Sequence, residues 1–299
     1  MEIITDIRKR DTREFKDSYI ILGDAKKVLK EIPDNTIQCT VCSPPYWGLR
    51  DYGISKDNQI GAEDKLEDYI NNLTEIFREV RRITKNDGLL WLNIGDSYTS
   101  GNRKYRAPDK KTDLRASVRA MTYRPGTPEG LKPKDLIGVP WRVAFSLQND
   151  GWYLRSDIIW NKPNCMPESV KDRPTKCHEY IFLFSKSPRY YYDYQSIKEK
   201  SDSGNLRNRR TIWNVNTHGF KEAHFATFPP ELIVPCIKSG SRINDIVLDP
   251  FFGSGTVGVV CKELNRRFVG VEIHPDYIDM ATKRIAEYEK EEGNKCNEI

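Results

Sequence analysis

Two loop tips in this chain carry residues that could do chemistry together. Ser43-Pro44-Pro45-Tyr46 ends the apolar run Ile37-Gln38-Cys39-Thr40-Val41-Cys42, and Asp249-Pro250-Phe251-Phe252-Gly253-Ser254-Gly255-Thr256 ends the run Ile246-Val247-Leu248. A proline pair cannot continue a central strand, so the chain turns away after Ser43. The Ser43 hydroxyl and the Pro44 carbonyl are two acceptors that can hold the exocyclic amine of a nucleobase. That amine is a poor nucleophile because its lone pair is delocalised into the ring. Two N–H bonds would draw the nitrogen toward a tetrahedral shape and free the pair, which is catalysis by placement and polarisation. Pro45 stiffens the backbone behind the Pro44 carbonyl. Tyr46 can stack on the base, a contact worth about 1–3 kcal/mol. Ser43 is not read as a strong general base, since no histidine lies near it in sequence to activate it. An ordinary proline-rich turn is the competing reading, and the second tip is what tells against it.

That second tip suits a nucleoside. Gly253 and Gly255 let backbone approach a ligand without a Cβ in the way. Glu272, at the end of the following strand, can accept hydrogen bonds from ribose hydroxyls. The spacing departs from G-x-G-x-x-G and no P-loop lysine follows, so neither a dinucleotide nor a triphosphate is demanded. A tight turn without ligand is the alternative. Against it stands Asp249 beside two aromatics read as exposed, Phe251 and Phe252, a costly tip unless it binds something.

Here the residues resemble a family. Asp249 to Thr256 is similar to the S-adenosylmethionine-binding motif of DNA amino-methyltransferases, and Ser43 to Tyr46 is similar to their catalytic tetrapeptide, Ser43, Pro44, Pro45 and Tyr46. The resemblance implies that Asp249, Phe251, Gly253, Ser254, Gly255 and Thr256 line the methionine end of S-adenosyl-L-methionine and that Glu272 holds its ribose. His224-Phe225-Ala226-Thr227-Phe228-Pro229 resembles the preceding cofactor motif, which adds Phe225 and Thr227. Gly23-Asp24 resembles a motif that touches the adenine ring, with Asp24 accepting from its amine. The tetrapeptide precedes the glycine turn, as in the permuted beta group of these enzymes. Serine in its first position resembles the cytosine-N4 subgroup, with adenine-N6 methylation as the alternative and a non-catalytic nucleic-acid-binding protein of the same fold as a second one. The family's partner is double-stranded DNA, whose target base must be flipped out of the stack. A restriction endonuclease partner and a homodimer are further expectations of the resemblance. Trp47, Arg50 and Tyr52 are placed to support the base pocket, and Trp160-Asn161-Lys162-Pro163 can close its other face.

The elements that must position these tips are legible from periodicity. Strands are expected at 19–22, 37–42, 89–94, 153–160, 180–184, 246–249 and 267–272. Helices are expected at 25–32, 67–84, 140–149, 257–264 and 275–290, with Asn86-Asp87-Gly88 stopping the second and launching a strand, and an acidic tail fraying after the last. Alternating strands and helices with apolar strands imply an α/β fold class with a parallel sheet covered on both sides. The resemblance implies a mixed, Rossmann-like, seven-stranded sheet with helices on both faces, circularly permuted, with a small recognition insert, in one catalytic domain over 1–299. Residues 99–135 read as a mobile basic insert and 164–218 as a target-recognition region.

Composition supports this reading. The chain has 299 residues and a formal charge of +5, with 38% hydrophobic and 30% charged residues. Between Gly101 and Lys134, ten basic residues face three acidic ones, a net of +7, and Arg207-Asn208-Arg209-Arg210 is a second basic run. Either could be a solvated loop, but together they suit phosphate contact with counterion release. No window spans a bilayer and the N-terminus lacks a signal peptide's apolar stretch, so a cytoplasmic location is expected. Seven cysteines scattered over this length suit a reducing compartment rather than a disulfide framework. Cys39 and Cys42, three apart on a strand, point to opposite faces and cannot share a metal, and no metal is expected. Carbon-5 methylation, which needs a thiolate, is disfavoured because Cys42 belongs to the strand.

Overall fold

A computed structural model describes residues 1–7, 15–56, 59–100, 119–121, 123–217 and 228–297, with the side chains of 119–120 and 292–297 left aside. In chain order the elements are β1 (Glu2–Ile4), β2 (Tyr19–Leu22), α1 (Ala25–Val28), β3 (Ile37–Cys42), β4 (Arg50–Asp51), α2 (Leu66–Ile83) and β5 (Thr84–Ile94). There follow β6 (Arg119–Ala120), α3 (Val139–Asn149), β7 (Tyr153–Asn161), β8 (His178–Ser185), β9 (Glu199–Lys200), β10 (Leu206–Arg207) and β11 (Ile212–Asn214). The chain continues through α4 (Pro230–Gly240), β12 (Ile246–Asp249), α5 (Thr256–Glu263), β13 (Arg267–Glu272) and α6 (Pro275–Asn297).

Nine strands form one sheet in the order β1-β2-β13-β12-β3-β5-β8-β7-β11. The seven expected strands are its centre; the structure adds a three-residue strand on each edge, β1 and β11, too short to show a period. Strand β8 runs against both neighbours, β5 and β7. The other pairs of this sheet are parallel.

Because successive strand residues face opposite sides, the sheet sorts its apolar residues into two layers. Cys42, Leu90, Leu92 and Leu248 face α1, α2 and α3. Cys39, Val41, Leu89, Trp91 and Val247 face α4, α5 and α6. The CxxC pair is therefore split between the two cores, as its spacing requires, and burial pushes both thiols up. Helix α2 buries Leu66, Tyr69, Leu73, Ile76, Phe77, Val80 and Ile83, an i, i+3, i+4 stripe along one side. Each such side chain contributes about 1.5–3 kcal/mol by leaving water.

The site's position follows from the order of connections. From β12 the chain passes through α5 to β13 on one side, and from β3 it passes through α2 to β5 on the other. Strands β12 and β3 are themselves paired, Val247 with Cys39 and Leu248 with Thr40. The strand order thus reverses between them, and in open α/β sheets the crevice outside the carboxyl ends at that reversal is where ligands bind. Asp249 and Ser43 stand at those two ends.

Several local expectations are corrected. The helix expected to Ile32 ends at Val28 and tightens into a 3₁₀ turn over Leu29–Glu31. Asn86-Asp87-Gly88 lies inside β5 rather than before it, because β5 already pairs Thr84 with Ile37 and bulges before Leu89 meets Cys39. Helix α4 was hidden by Pro229, Pro230 and Pro235; Pro230 sits at its first turn, where a missing N–H is harmless. Helix α6 runs past Lys290 to Asn297. Of the segment 99–135, residues 101–118 and 122, with most of the basic cluster, lie outside the described residues. Its described part packs back on the site loop: β6 pairs with β4, and Tyr123 Oη donates to Ala62 O at 3.2 Å. Within 164–218, Ile212–Asn214 joins the sheet as β11, and His218 lies outside the described residues. Arg207 pairs with Glu199 at 3.0 Å and Arg209 stacks on Trp213 at 4.7 Å, so the second basic run is partly committed to local structure.

Candidate active site

One cavity of about 290 Å³ runs between the two strand tips, with Ser43, Pro44, Pro45 and Tyr46 on one wall and Asp249, Phe251, Gly253, Ser254, Thr256 and Glu272 on the other.

On the first wall, the loop after β3 is pinned from outside. Tyr69 Oη of α2 donates to Pro45 O at 2.9 Å, and Trp47 Nε1 donates to Glu63 O at 2.9 Å. Trp47 is buried in the core, whereas Arg50 and Tyr52 line the cavity. Ser43 Oγ donates to Tyr46 Oη at 3.4 Å, and Tyr46 Oη donates to Glu179 Oε2 at 2.7 Å. Glu179 is the second residue of β8, and because β8 is reversed, its start lies beside the carboxyl end of β5, where Ile94 pairs with Tyr180. Asn93 Nδ2 reaches the same carboxylate oxygen at 3.2 Å, and Lys162 Nζ pairs with Glu179 Oε1 while lying 4.2 Å from the Trp160 ring centre. Burial, with the nearby Glu179 carboxylate, holds the Tyr46 hydroxyl well above the ordinary phenol range, so it stays a donor.

Close approach here depends on a glycine. A Cβ on Gly95 would stand 2.8 Å from Tyr46 Cε2 and 3.3 Å from Glu179 Cγ. Gly95→Ala should therefore push the Tyr46 ring off Glu179 and lower turnover about tenfold, the size of one lost charge-assisted hydrogen bond. Circular dichroism should show the fold intact, and an unchanged turnover would mean that the Tyr46–Glu179 contact is dispensable.

On the second wall, Asp249 is 2% exposed and accepts from Phe251 N at 3.0 Å. Burial first, then the neighbouring Glu272 carboxylate, push its carboxyl up to about 8. Glu272 is raised by burial as well, opposed by N–H bonds from His274 and Gly253, each at 2.8 Å. Two buried carboxylates in one crevice favour a ligand that brings positive charge and donors. Asp24 lines the cavity and caps α1 by accepting from Lys26 N at 3.0 Å. Arg284 of α6 donates to Ser254 Oγ at 3.2 Å and Thr256 Oγ1 at 2.9 Å, fixing the turn from behind.

The structure thus brings together every described candidate but one. Gly255 does not line the cavity; its φ of 78° opens α5, and a Cβ there would stand 2.8 Å from Ala281 Cβ, so its need is backbone geometry and helix packing. Phe225 and Thr227 lie outside the described residues. The tip aromatics are less open than the sequence suggests: Phe252 is buried and stacks on Phe268, and Phe251 is half-buried against Phe77. Trp160 and Lys162 do line the acceptor side. Sequence reasoning missed Asn93, Glu179 and Tyr277, which line the cavity too. Asn93 had a signal, being a polar residue inside Leu89–Ile94; the other two had none. Among the described residues no three His, Cys, Asp or Glu side chains gather as a metal site, and no helix is long and apolar enough to cross a membrane.

This sheet, with its helices on both faces and its crevice at the strand reversal, is the fold of S-adenosylmethionine-dependent methyltransferases. Among solved structures, the PvuII DNA methyltransferase described as cytosine-N4-specific shares it with a TM-score of 0.66 at 17% identity, covering 96% of this chain and 92% of that one. A putative DNA modification methylase of Thermus thermophilus, TTHA0409, solved with S-adenosyl-L-methionine, does so with a TM-score of 0.61 at 23% identity, covering 90% and 93%. At those identities the likeness speaks for the fold alone. A family model for DNA methylases matches residues 37–283. The Type II methyltransferase M.Cfr9I of Citrobacter freundii is 58% identical over 282 residues, 94% of this chain and 92% of the relative. M.SmaI of Serratia marcescens is 59% identical over 268 residues, 89% and 90% respectively. The chain belongs to the DNA methylase family of the N6/N4 type and is a DNA methyltransferase whose cofactor is S-adenosyl-L-methionine.

Proposed function

We propose that this enzyme methylates the exocyclic N4 amine of a cytosine everted from double-stranded DNA, as the modification partner of a restriction endonuclease in the cytoplasm. The observation that carries the reading is the shared cavity: the β3 tip with Ser43 and the β12 tip with Asp249 belong to directly paired strands and open into one space. When bound, S-adenosylmethionine supplies an electrophilic methyl group on a sulfonium. Asp249, Ser254, Thr256 and Glu272 would hold it, and their fit is physical: buried carboxylates with raised proton affinity are relieved by a cationic, donor-rich ligand. Ser43 Oγ and the Pro44 carbonyl accept from the amine, Tyr46 supports the base by stacking, and Phe251 covers the cofactor side.

Two features favour cytosine. Serine stands first in the tetrapeptide. Lys162, on the acceptor wall, carries three N–H donors and no acceptor. Along the Watson–Crick edge that carries its amine, cytosine offers two acceptors, N3 and O2, whereas adenine offers N1 alone on that edge. Carbon-5 chemistry is disfavoured by Cys42, which is fully buried, with its thiol pushed up and directed into the helical core. Segment 164–218 and the basic cluster are the proposed DNA-reading segments.

Duplex DNA treated with the enzyme and isotopically labelled cofactor, then digested to nucleosides, should yield labelled N4-methylcytosine by mass spectrometry. Labelled N6-methyladenine would replace the base assignment, and label on neither amine would sink the reaction itself.

A further inference from the structure

A methylated amine is left cationic and must lose a proton, and the acceptor wall holds a line of oxygens leading away from it. Ser43 donates to Tyr46, and Tyr46 donates to Glu179. Both donors point the same way, so Ser43 spends its proton on Tyr46 and its oxygen keeps lone pairs with which to accept. Glu179 is 17% exposed at its side chain and is fixed by three donors on separate elements: Tyr46 from the β3 loop, Asn93 from β5 and Lys162 from beyond β7. Nothing in the cofactor half requires a carboxylate at this place. A half-buried acid whose oxygens are held by a hydroxyl, an amide and an ammonium is an expensive arrangement if it only fills space.

We propose that Glu179 is a positioning residue that serves as the proton sink of the reaction, acting on the amine through the Tyr46 and Ser43 hydroxyls. The proposal rests on the reading that an exocyclic amine is methylated. The step balances. The amine nitrogen bonds to the methyl carbon as the S–C bond breaks and its electron pair goes to sulfur. An N–H proton passes to Ser43 Oγ, the Ser43 proton to Tyr46 Oη, and the Tyr46 proton to Glu179 Oε2. A sulfonium and a carboxylate are consumed; a thioether and a carboxylic acid remain, and the acid returns its proton to water when the product leaves. Before transfer, the same line of bonds draws the Ser43 proton away from the amine and strengthens Ser43 Oγ as an acceptor. Lys162 keeps the carboxylate in register without becoming part of the line.

The test is single-turnover methylation of duplex DNA at saturating cofactor. Glu179→Gln and Tyr46→Phe should each slow it about tenfold, with cofactor and duplex dissociation constants unchanged, and the double variant should be no slower than either alone. Added formate should restore part of the rate to Glu179→Ala, which opens room for a small carboxylate, and none to Tyr46→Phe. Tyr46→Phe keeps the ring and the Glu179–Lys162 pair, so it tests the line even if Glu179 variants fold poorly. A wild-type rate in Tyr46→Phe, losses that multiply in the double variant, or no formate rescue would overturn the proposal. A wild-type protein that places methyl on no base amine would instead overturn the reading beneath it.

Discussion

Replacing Ser43 by alanine should lower the single-turnover rate of methyl transfer about 10²–10³-fold and leave cofactor affinity unchanged. The expected size is that of removing one preorganised hydrogen-bonding group aimed at the reacting atom in a site sheltered from water. Ser43 follows the last residue of β3 and lines the same cavity as Asp249, at the end of the strand paired with β3. Its loss removes the proposed acceptor for the amine and the donor that reaches Tyr46 at 3.4 Å. Tyr46 itself stays in place, because its hydroxyl remains bonded to Glu179 at 2.7 Å and the loop remains pinned by Tyr69. The wall proposed to hold the cofactor is built from β12, the turn into α5 and β13, whose hydrogen bonds do not involve Ser43. Rapid-quench kinetics and calorimetry separate the two effects. A variant that binds cofactor poorly would move Ser43 to the other wall, and one that reacts at the wild-type rate would remove it from the chemistry.

The two tips were legible in the sequence because each breaks a strong local pattern. Prolines after a fully buried strand, and glycines between an aspartate and a helix, leave few backbone options, so their neighbours' roles can be reasoned about at short range. The central strands were legible for the same reason: most are buried on both faces or nearly so, and read as apolar runs. What the sequence could not show depends on distance along the chain. Glu179 reaches Tyr46 from the far end of the chain's middle third only because β8 is reversed, and Tyr277 reaches the cavity only through the packing of α6. The edge strands β1 and β11 are defined by the neighbour they pair with, not by their own residues. Helix α4 shows propensity overridden: Leu232, Ile233, Cys236 and Ile237 carry the helical spacing, and burial of that stripe outweighs the N–H that Pro235 cannot donate.

Asp249→Asn should weaken cofactor binding about 10–100-fold and remove most of its dependence on pH. The carboxyl is pushed up to about 8, chiefly by burial and further by the Glu272 carboxylate, against a single opposing bond from Phe251 N. In the unfolded chain an aspartate titrates near about 3.9. Between those two values the folded protein holds a proton that the unfolded chain has released, so the stability of the free enzyme falls as pH rises through that window. Cofactor binding works in the opposite sense. A cation beside Asp249 favours the carboxylate, so affinity should grow from about pH 6 to about pH 9 as the proton no longer has to be displaced. Asparagine keeps the shape and can still accept from Phe251 N, but it has no charge to offer, and a charge-assisted hydrogen bond is worth about 1.5–3 kcal/mol. The free cofactor's own α-amine also titrates, at about 7.7–8.0, and that contribution is common to both binding curves. The difference between their binding curves, measured by calorimetry across that range, therefore cancels the free cofactor's titration and leaves what the Asp249 charge contributes, its coupling to the bound cation included. Thermal melts of the free proteins provide a second reading: the wild type should lose stability as pH rises and the asparagine variant should lose less. Equal affinities at every pH would place the cationic end of the cofactor elsewhere in the cavity. A wild-type melting temperature independent of pH would mean that Asp249 is hydrated in solution and that the crevice is more open than its 2% exposure describes.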